Sequence, residues 1–214
     1  MSVGFRPVPS ADDGMAKAAA DQDVAKIHYF RTQGANPDGV DATGISLLQH
    51  AANNGRMQAA AALIEAGASL NQNNGPSHWT ALHYAAYRNN AAMAQLLLDA
   101  KADPNVATPD GERPLHTAAH AGDLDVIKAL VKAGADIFAK DARNHTAMDI
   151  ATIRAAERLQ FAQRPFTDIA EYLKQEMDAA AQRAEAARLQ KETVAHDLAA
   201  LKARHPERFR LKPR

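Results

Sequence analysis

Small and apolar side chains recur along the chain in a short block, and polar stretches of similar length separate the copies. The block is clearest as TALHYAA at 80–86 and RPLHTAA at 113–119, with weaker copies at 46–52 and 146–151. One apolar side chain marks the register of each copy: Leu48, Leu82, Leu115 and Met148. These positions are 34, 33 and 33 residues apart. Such a period predicts stacked structural repeats, each of which buries its apolar face against its neighbours.

Each block predicts the first helix of a helix-turn-helix pair. Thr80 and Thr146 can cap the helix through their hydroxyls, and Pro114 suits the first helical turn. A residue that tolerates a left-handed backbone then ends the helix in three of the copies: Gly55, Asn89 and Gly122. A second amphipathic helix follows and ends near Gly67, Lys101 or Gly134. Lys101 stands where the other copies have glycine, and Arg113 stands where they have a capping hydroxyl.

The period and the block, which is close to T-P-L-H-x-A, resemble those of the ankyrin repeat family. The resemblance covers about residues 15–178 and implies an all-α solenoid of about five helix-turn-helix repeats. The repeats are expected at about 15–43, 44–78, 79–110, 111–143 and 144–178. The first copy is degenerate and is expected to act as an N-terminal cap. A long connection projects between successive repeats as a finger.

The two ends of the chain depart from this pattern. Residues 1–14 are expected to be disordered. The fifth repeat lacks the residue that ends the first helix elsewhere, so that helix is expected to continue to about Gln163, with a turn at 164–167. The helical pattern then runs on, which predicts an extended C-terminal helix at 179–205 and a basic tail at 206–214. This helix could cap the array, form a dimer or contact a partner.

Composition narrows the classes of partner. The chain has 25 basic and 25 acidic residues, so no overall field favours nucleic acid or an anionic membrane. It has no cysteine, which excludes disulfides and thiolate metal sites. The longest apolar run, 59–64, is too short to span a bilayer, and the N-terminus has no signal-peptide pattern. We expect a cytoplasmic protein, or an exported one if a signal was removed before residue 1.

Candidate catalytic and metal-binding motifs are weak. His116 and His120 have the spacing of a zinc-binding pair, but the sequence suggests no third ligand. The resemblance implies structural hydrogen bonds near the fingers for the motif histidines, His83 and His116. A nucleophile elbow and a glycine-rich phosphate loop are both missing from the sequence. We therefore expect no enzyme activity, metal, cofactor or small-molecule substrate.

The resemblance implies a concave face, formed by fingers and first helices, that holds a protein partner. The solvent-facing positions aligned with that face are Ile45, Asn53, Asn54, Trp79, Tyr87, Arg88, Glu112, His120 and His145. The third repeat alone supplies Trp79, Tyr87 and Arg88, which are residue types enriched at interface hot spots. An aromatic residue at position 79 could instead pack on the neighbouring finger.

These patterns predict a monomeric, non-catalytic module that binds one protein partner, which could be an enzyme. The first alternative is an inhibitor or immunity protein, whose groove or inserted loop at 163–166 blocks the active site of a partner enzyme. The second alternative is self-assembly through a seam of the C-terminal helix between Ala180 and Leu201. Three of the seven positions of that seam are alanine, and one is lysine, so the predicted coiled coil is weak.

Overall fold

The computed structural model describes the backbone of residues 10–157 and 164–204, and side chains within 10–156 and 166–195. The regular structure of these residues is helical, as the sequence predicts. The helices are α1 (Ala11–Ala20), α2 (Val24–Thr32), α3 (Leu47–Asn53), α4 (Met57–Glu65), α5 (Ala81–Tyr87), α6 (Ala91–Asp99), α7 (Pro114–Ala121), α8 (Leu124–Lys132), α9 (Ala147–Glu157) and α10 (Arg164–Arg204). The chain forms two units that divide between Leu173 and Lys174. Across the described ranges, no helix is both long and apolar enough to cross a membrane.

The helices pair as α1–α2, α3–α4, α5–α6 and α7–α8, and α9 takes the first-helix position of a fifth repeat. First helices stack in a row, with α3 against α5, α5 against α7, and α7 against α9. The alanine pairs of the repeated block are buried between them, which lets neighbouring helices approach closely. One core runs through the array from Met15 to Leu173, and it includes Ile169 of α10.

The predicted breaks between paired helices are confirmed. Gly55, Asn89 and Gly122 have φ values of +67°, +53° and +90°, which place them in the left-handed region. Gln22 makes the same break in the first repeat with φ +57°. Lys101 also adopts a positive φ, +75°, at the end of α6. A side chain costs about 1 kcal/mol or more in that conformation, so the array tolerates local strain there.

In three repeats, the third residue of the first helix forms hydrogen bonds that join its repeat to the next one. Gln49 accepts the N–H of Ser46 and donates through Nε2 to the carbonyl of Trp79. His83 accepts the N–H of Thr80 at Nδ1 (3.1 Å) and donates through Nε2 to the carbonyl of Glu112 (3.2 Å). One side chain therefore fixes both the start of its own helix and the base of the following finger. We call this arrangement the inter-repeat clamp.

His116 makes the third clamp. Its Nδ1 accepts the N–H of Arg113 at 3.1 Å, and its Nε2 donates to the carbonyl of Ala139 at 3.0 Å. Arg113 provides no side-chain cap for α7, and its guanidinium instead pairs with Asp136 at 3.2 Å. Both ring nitrogens of His116 therefore form structural hydrogen bonds, as the resemblance implies for the motif histidines.

Both ends of the array differ from the expected boundaries. Helix α1 begins at Ala11 because Ser10 caps it, accepting the N–H of Asp13 at 3.1 Å, so the prediction of disorder is wrong for residues 11–14. The predicted turn at 164–167 is also wrong, because α10 begins at Arg164. Pro165 is compatible with this start, since the first turn of a helix does not require its N–H. Residues 1–9, the expected extension of α9 through 158–163 and the basic tail at 206–214 lie outside the described residues.

The start of α10 is anchored by Phe166, which is 2% exposed. A Cβ atom added to Gly122 would lie 2.7 Å from Cζ of this ring. Gly122 is therefore required both for its left-handed backbone and for the space that it leaves. Since Phe166 is buried, this residue of the predicted inserted loop at 163–166 is not exposed to a partner.

The clamp of His83 predicts an acid-sensitive stability. Burial lowers the pKa of His83 from 6.5 to about 4, the Glu112 carbonyl opposes this shift, and the nearby His116 adds to it. As pH falls below about 6.5, the unfolded chain binds the proton first, and stability is lost progressively towards pH 4. The pKa difference corresponds to about 3 kcal/mol. Urea unfolding between about pH 4.5 and 7 measures the loss.

His83→Gln is the matched variant, because Gln49 makes the same clamp without a titrating ring. We expect this variant to remain folded at neutral pH and to lose less stability in acid than the native chain. A decline equally steep in both proteins would show that His83 is not the responsible group.

The contact between Gly122 and Phe166 predicts a difference between two glycine substitutions. Gly134 has φ +91°, almost the same as Gly122, but a Cβ there meets nothing within 4 Å. Gly134→Ala should lose about 1 kcal/mol through backbone strain alone. Gly122→Ala should lose at least about 1 kcal/mol more, because overpacking adds to the strain. Equal midpoints in urea denaturation would contradict the steric role of Phe166.

Candidate functional site

A concave groove of about 710 Å³ extends over the third, fourth and fifth repeats. The third repeat contributes Trp79, Tyr87 and Asp110, and the fourth contributes Glu112, His116, Thr117, His120, Asp141, Ala142 and Arg143. The fifth contributes His145, Ile150, Ile153 and Arg154. The groove thus lies along first helices and fingers, and it combines apolar, acidic and basic side chains.

The structure brings five of the nine sequence-predicted residues together in this groove: Trp79, Tyr87, Glu112, His120 and His145. The remaining four lie outside its lining. Ile45 is half-buried beside the finger that contains Gly75. Asn54 ends α3 and donates to the carbonyl of His50 at 2.8 Å. Asn53 accepts from Nε of Arg88 at 2.9 Å, so these two residues bridge the second and third repeats.

The aromatic end of the groove is a cluster centred on Trp79. Its ring lies 5.3 Å from the ring of Tyr84, at 72°, and 5.3 Å from that of Tyr87, at 54°. It also stacks on His83, with the centroids 6.3 Å apart. Trp79 is half-buried, whereas Tyr87 is 51% exposed. Trp79 therefore serves partly as packing against α5, and Tyr87 is the aromatic side chain presented to solvent.

The middle of the groove holds a fixed carboxylate. Oε1 of Glu112 accepts the hydroxyl of Thr117 at 2.8 Å, and Thr117 is itself buried. The backbone of Glu112 is held on both sides, because its N–H donates to Thr108 at 3.2 Å and its carbonyl accepts from His83. Hydrogen bonds therefore hold both the main chain and the side chain of Glu112 in a fixed orientation in the groove.

The finger that leads into α9 closes the far end of the groove. Oδ1 of Asp141 accepts the N–H groups of Arg143 and His145 at 2.9 and 2.8 Å, which folds the tip into a tight turn. Ala142 donates its N–H to the carbonyl of Asp110 at 2.7 Å and joins this finger to the previous one. Arg143 is exposed at the tip. The groove is therefore acidic near Asp110 and Glu112 and gains positive charge from Arg143 at its far end.

Sequence reasoning missed Ile153 and Arg154, although the repeat spacing contained the signal. Tyr87, His120 and Ile153 are 33 residues apart, so all three occupy one register position. Helix α9 lacks a left-handed break and continues to Glu157, which keeps Ile153 in the wall of the groove. The sequence predicts the missing break, and the structure adds its effect on the concave face. Among the residues that the structure describes, no cluster of three or more His, Asp or Glu could hold a metal ion.

The stacked helix pairs and the groove along their first helices define a helical repeat protein. Two family models match the chain: "Ankyrin repeats (3 copies)" over residues 15–108 and "Ankyrin repeats (many copies)" over residues 106–151. The chain belongs to the ankyrin repeat family. Repeats of this kind are typical of protein–protein interaction modules.

Three relatives illustrate the range of similar proteins. An ankyrin repeat-containing protein of Treponema pallidum is 31% identical over 136 residues, covering 64% of this chain and 46% of that protein. Human cyclin-dependent kinase inhibitor 2A is 38% identical over 105 residues, covering 49% of this chain and 66% of its own. Bovine cyclin-dependent kinase 4 inhibitor B is 34% identical over 128 residues, covering 59% of this chain and 88% of that protein. The chain thus spans less than half of the Treponema protein but most of the bovine one.

The different burial of the two groove aromatics predicts different costs of removing them. Trp79→Ala deletes the centre of the ring cluster and should destabilise the chain by about 2 kcal/mol. Tyr87→Ala removes a largely exposed ring and should cost less than about 1 kcal/mol. Urea denaturation monitored by circular dichroism compares the free energies of unfolding of the two variants. Equal losses would mean that Tyr87 is as structural as Trp79 and is unsuited to testing binding.

Proposed function

We propose that the chain is a non-catalytic module that binds a protein partner in the groove of the third to fifth repeats. The observation that carries this proposal is that the exposed ring of Tyr87 and the preorganised Glu112 line the same groove. Exposed aromatics among fixed polar groups are characteristic of interface hot spots. Membership of a family typical of interaction modules supports the same conclusion.

Inhibition of a partner enzyme is a second candidate for the outcome of this binding. Two of the relatives are named as inhibitors of cyclin-dependent kinases, and the bovine one is matched over 88% of its length. This similarity supports an inhibitory role without identifying the enzyme. With Phe166 of the inserted segment buried, we assign the contact with such an enzyme to the groove.

We propose that the chain binds its partner as a monomer. The self-assembly alternative needs an apolar seam on α10, but the described side chains of 181–195 are all exposed and mostly polar or alanine. The large apolar ones among them are Leu189 and Val194. In the sequence the seam also contains Leu198 and Leu201, but its first four positions are alanine and lysine, which is little apolar area for a stable helical dimer.

The test uses immobilised full-length chain to capture proteins from source-cell lysate. Tyr87→Ala/Arg143→Ala changes two exposed groove residues, and we expect it to reduce specific capture about tenfold or more. The matched control is Tyr29→Ala/Lys132→Ala, which removes an exposed tyrosine and an exposed cation from second helices outside the groove. Equal capture by the groove variant and the native chain would exclude the groove. Loss of capture with the control variant alone would move the site to the opposite face.

The captured partner then separates the two candidate outcomes. If it is an enzyme and loses turnover when mixed with equimolar native chain, but not with the groove variant, the inhibitor role is supported. If it stays fully active in a saturated complex, the chain acts as a binding module alone.

A further inference from the structure

The third repeat gives the groove two aromatic faces at an angle. The rings of Trp79 and Tyr87 are 5.3 Å apart and inclined by 54°, so they form an open corner rather than a closed stack. Tyr87 is half exposed at this corner. The face of an aromatic ring attracts a cation placed within about 6 Å of its centroid. The corner is therefore suited to a positively charged side chain.

Tyr87 already contacts one cation of its own chain. The guanidinium carbon of Arg88 lies 5.5 Å from the centre of the Tyr87 ring, and Nε of Arg88 donates to Asn53 at 2.9 Å. Asn53 belongs to the preceding repeat, whereas the groove continues into the following ones. Arg88 is thus held away from the groove, which leaves the groove side of the Tyr87 ring for a second cation.

Two carboxylates of the next finger, Asp110 and Glu112, line the same groove as this corner. Glu112 is oriented by Thr117 through Oε1, which leaves Oε2 as an acceptor. Asp110 is exposed at the tip of the same finger. Neither carboxylate forms a salt bridge with any residue in the described part of the chain. Unpaired like charges in a concave site attract a cation and raise its local concentration.

We propose that Trp79, Tyr87, Asp110 and Glu112 form a subsite for a basic side chain, arginine or lysine, of the protein partner. The cationic head lies in the aromatic corner and donates to Glu112, while its aliphatic stem packs on Trp79. Arg143 at the other end of the groove repels a second basic residue and so sets the direction of the bound segment. This inference rests on the proposed function and adds the chemistry of the partner.

A random peptide library displayed on phage provides the probe, selected against the full-length chain. Trp79 is the only tryptophan of the chain, so its fluorescence reports directly on occupation of the corner. A selected peptide is then made twice, once with its basic residue and once with a neutral isostere, citrulline for arginine or acetyl-lysine for lysine. We expect selected peptides to be enriched in a basic residue and the neutral version to bind about tenfold more weakly.

Two variants link that charge effect to the subsite. Glu112→Gln keeps an oxygen for Thr117 but removes the negative charge, and Tyr87→Leu keeps apolar area but removes the ring. Each should shrink the difference between the charged and neutral peptides to about twofold or less. The control is Glu171→Gln, which removes an exposed carboxylate outside the groove and should leave the tenfold difference intact.

The outcomes distinguish this inference from the proposed function. Peptides that change Trp79 fluorescence without any preference for a basic residue would overturn the subsite and leave groove binding intact. A charge preference that is unchanged in Glu112→Gln would also overturn it. If no selected peptide perturbs Trp79, or none is enriched, both the subsite and binding of a linear segment in the groove are wrong.

Discussion

The inter-repeat clamp is the interaction on which the rest of this structure depends. A helix of seven or eight residues makes few internal hydrogen bonds, and a finger makes fewer, so neither is stable alone. Gln49 and His83 satisfy a helix start and the carbonyl of the next finger with one buried side chain. Those carbonyls belong to Trp79 and Glu112, which are groove residues. The same bonds that stack the repeats therefore also determine the geometry of the candidate binding surface.

The clamp also explains where the array stops. The fifth repeat has Asp149 at the clamp position, and its Oδ2 accepts the N–H and the hydroxyl of Thr146, each at 2.8 Å. The Thr146 N–H lowers the pKa of this carboxyl, which favours the ionised form. An ionised carboxylate can cap its own helix but has no hydrogen to donate to a further finger. Asp149 in place of Gln or His thus preserves the start of α9 but makes no bond to a further finger. The chain continues instead as α10.

Most of the fold could be predicted from the sequence because the repeat displays the same physical requirements several times. The left-handed residues Gly55, Asn89 and Gly122 and the buried leucines recur at one spacing, so each copy supports the others. The groove was only partly predictable, since its wall at Ile153 depends on how far an unbroken helix extends. The start of α10 at Arg164 was missed because a proline normally indicates a turn, and only burial of Phe166 shows otherwise. A local sequence signal is ambiguous where the chain contains no second copy of the same segment with which to compare it.

The finger at 102–112 is flanked by two residues that cost stability. Lys101, just before it, adopts a left-handed backbone without being glycine, and Arg113, just after it, starts a helix without a side-chain cap. Both are local costs that the neighbouring repeats do not carry. Since functional segments commonly sacrifice stability, a selection for thermal stability alone would be expected to alter both residues. Replacement of Arg113 would also remove its hydrogen bonds to Asn105 in this finger and to Asp136 in the next, so a more stable helix start would come with a less firmly held finger beside the groove.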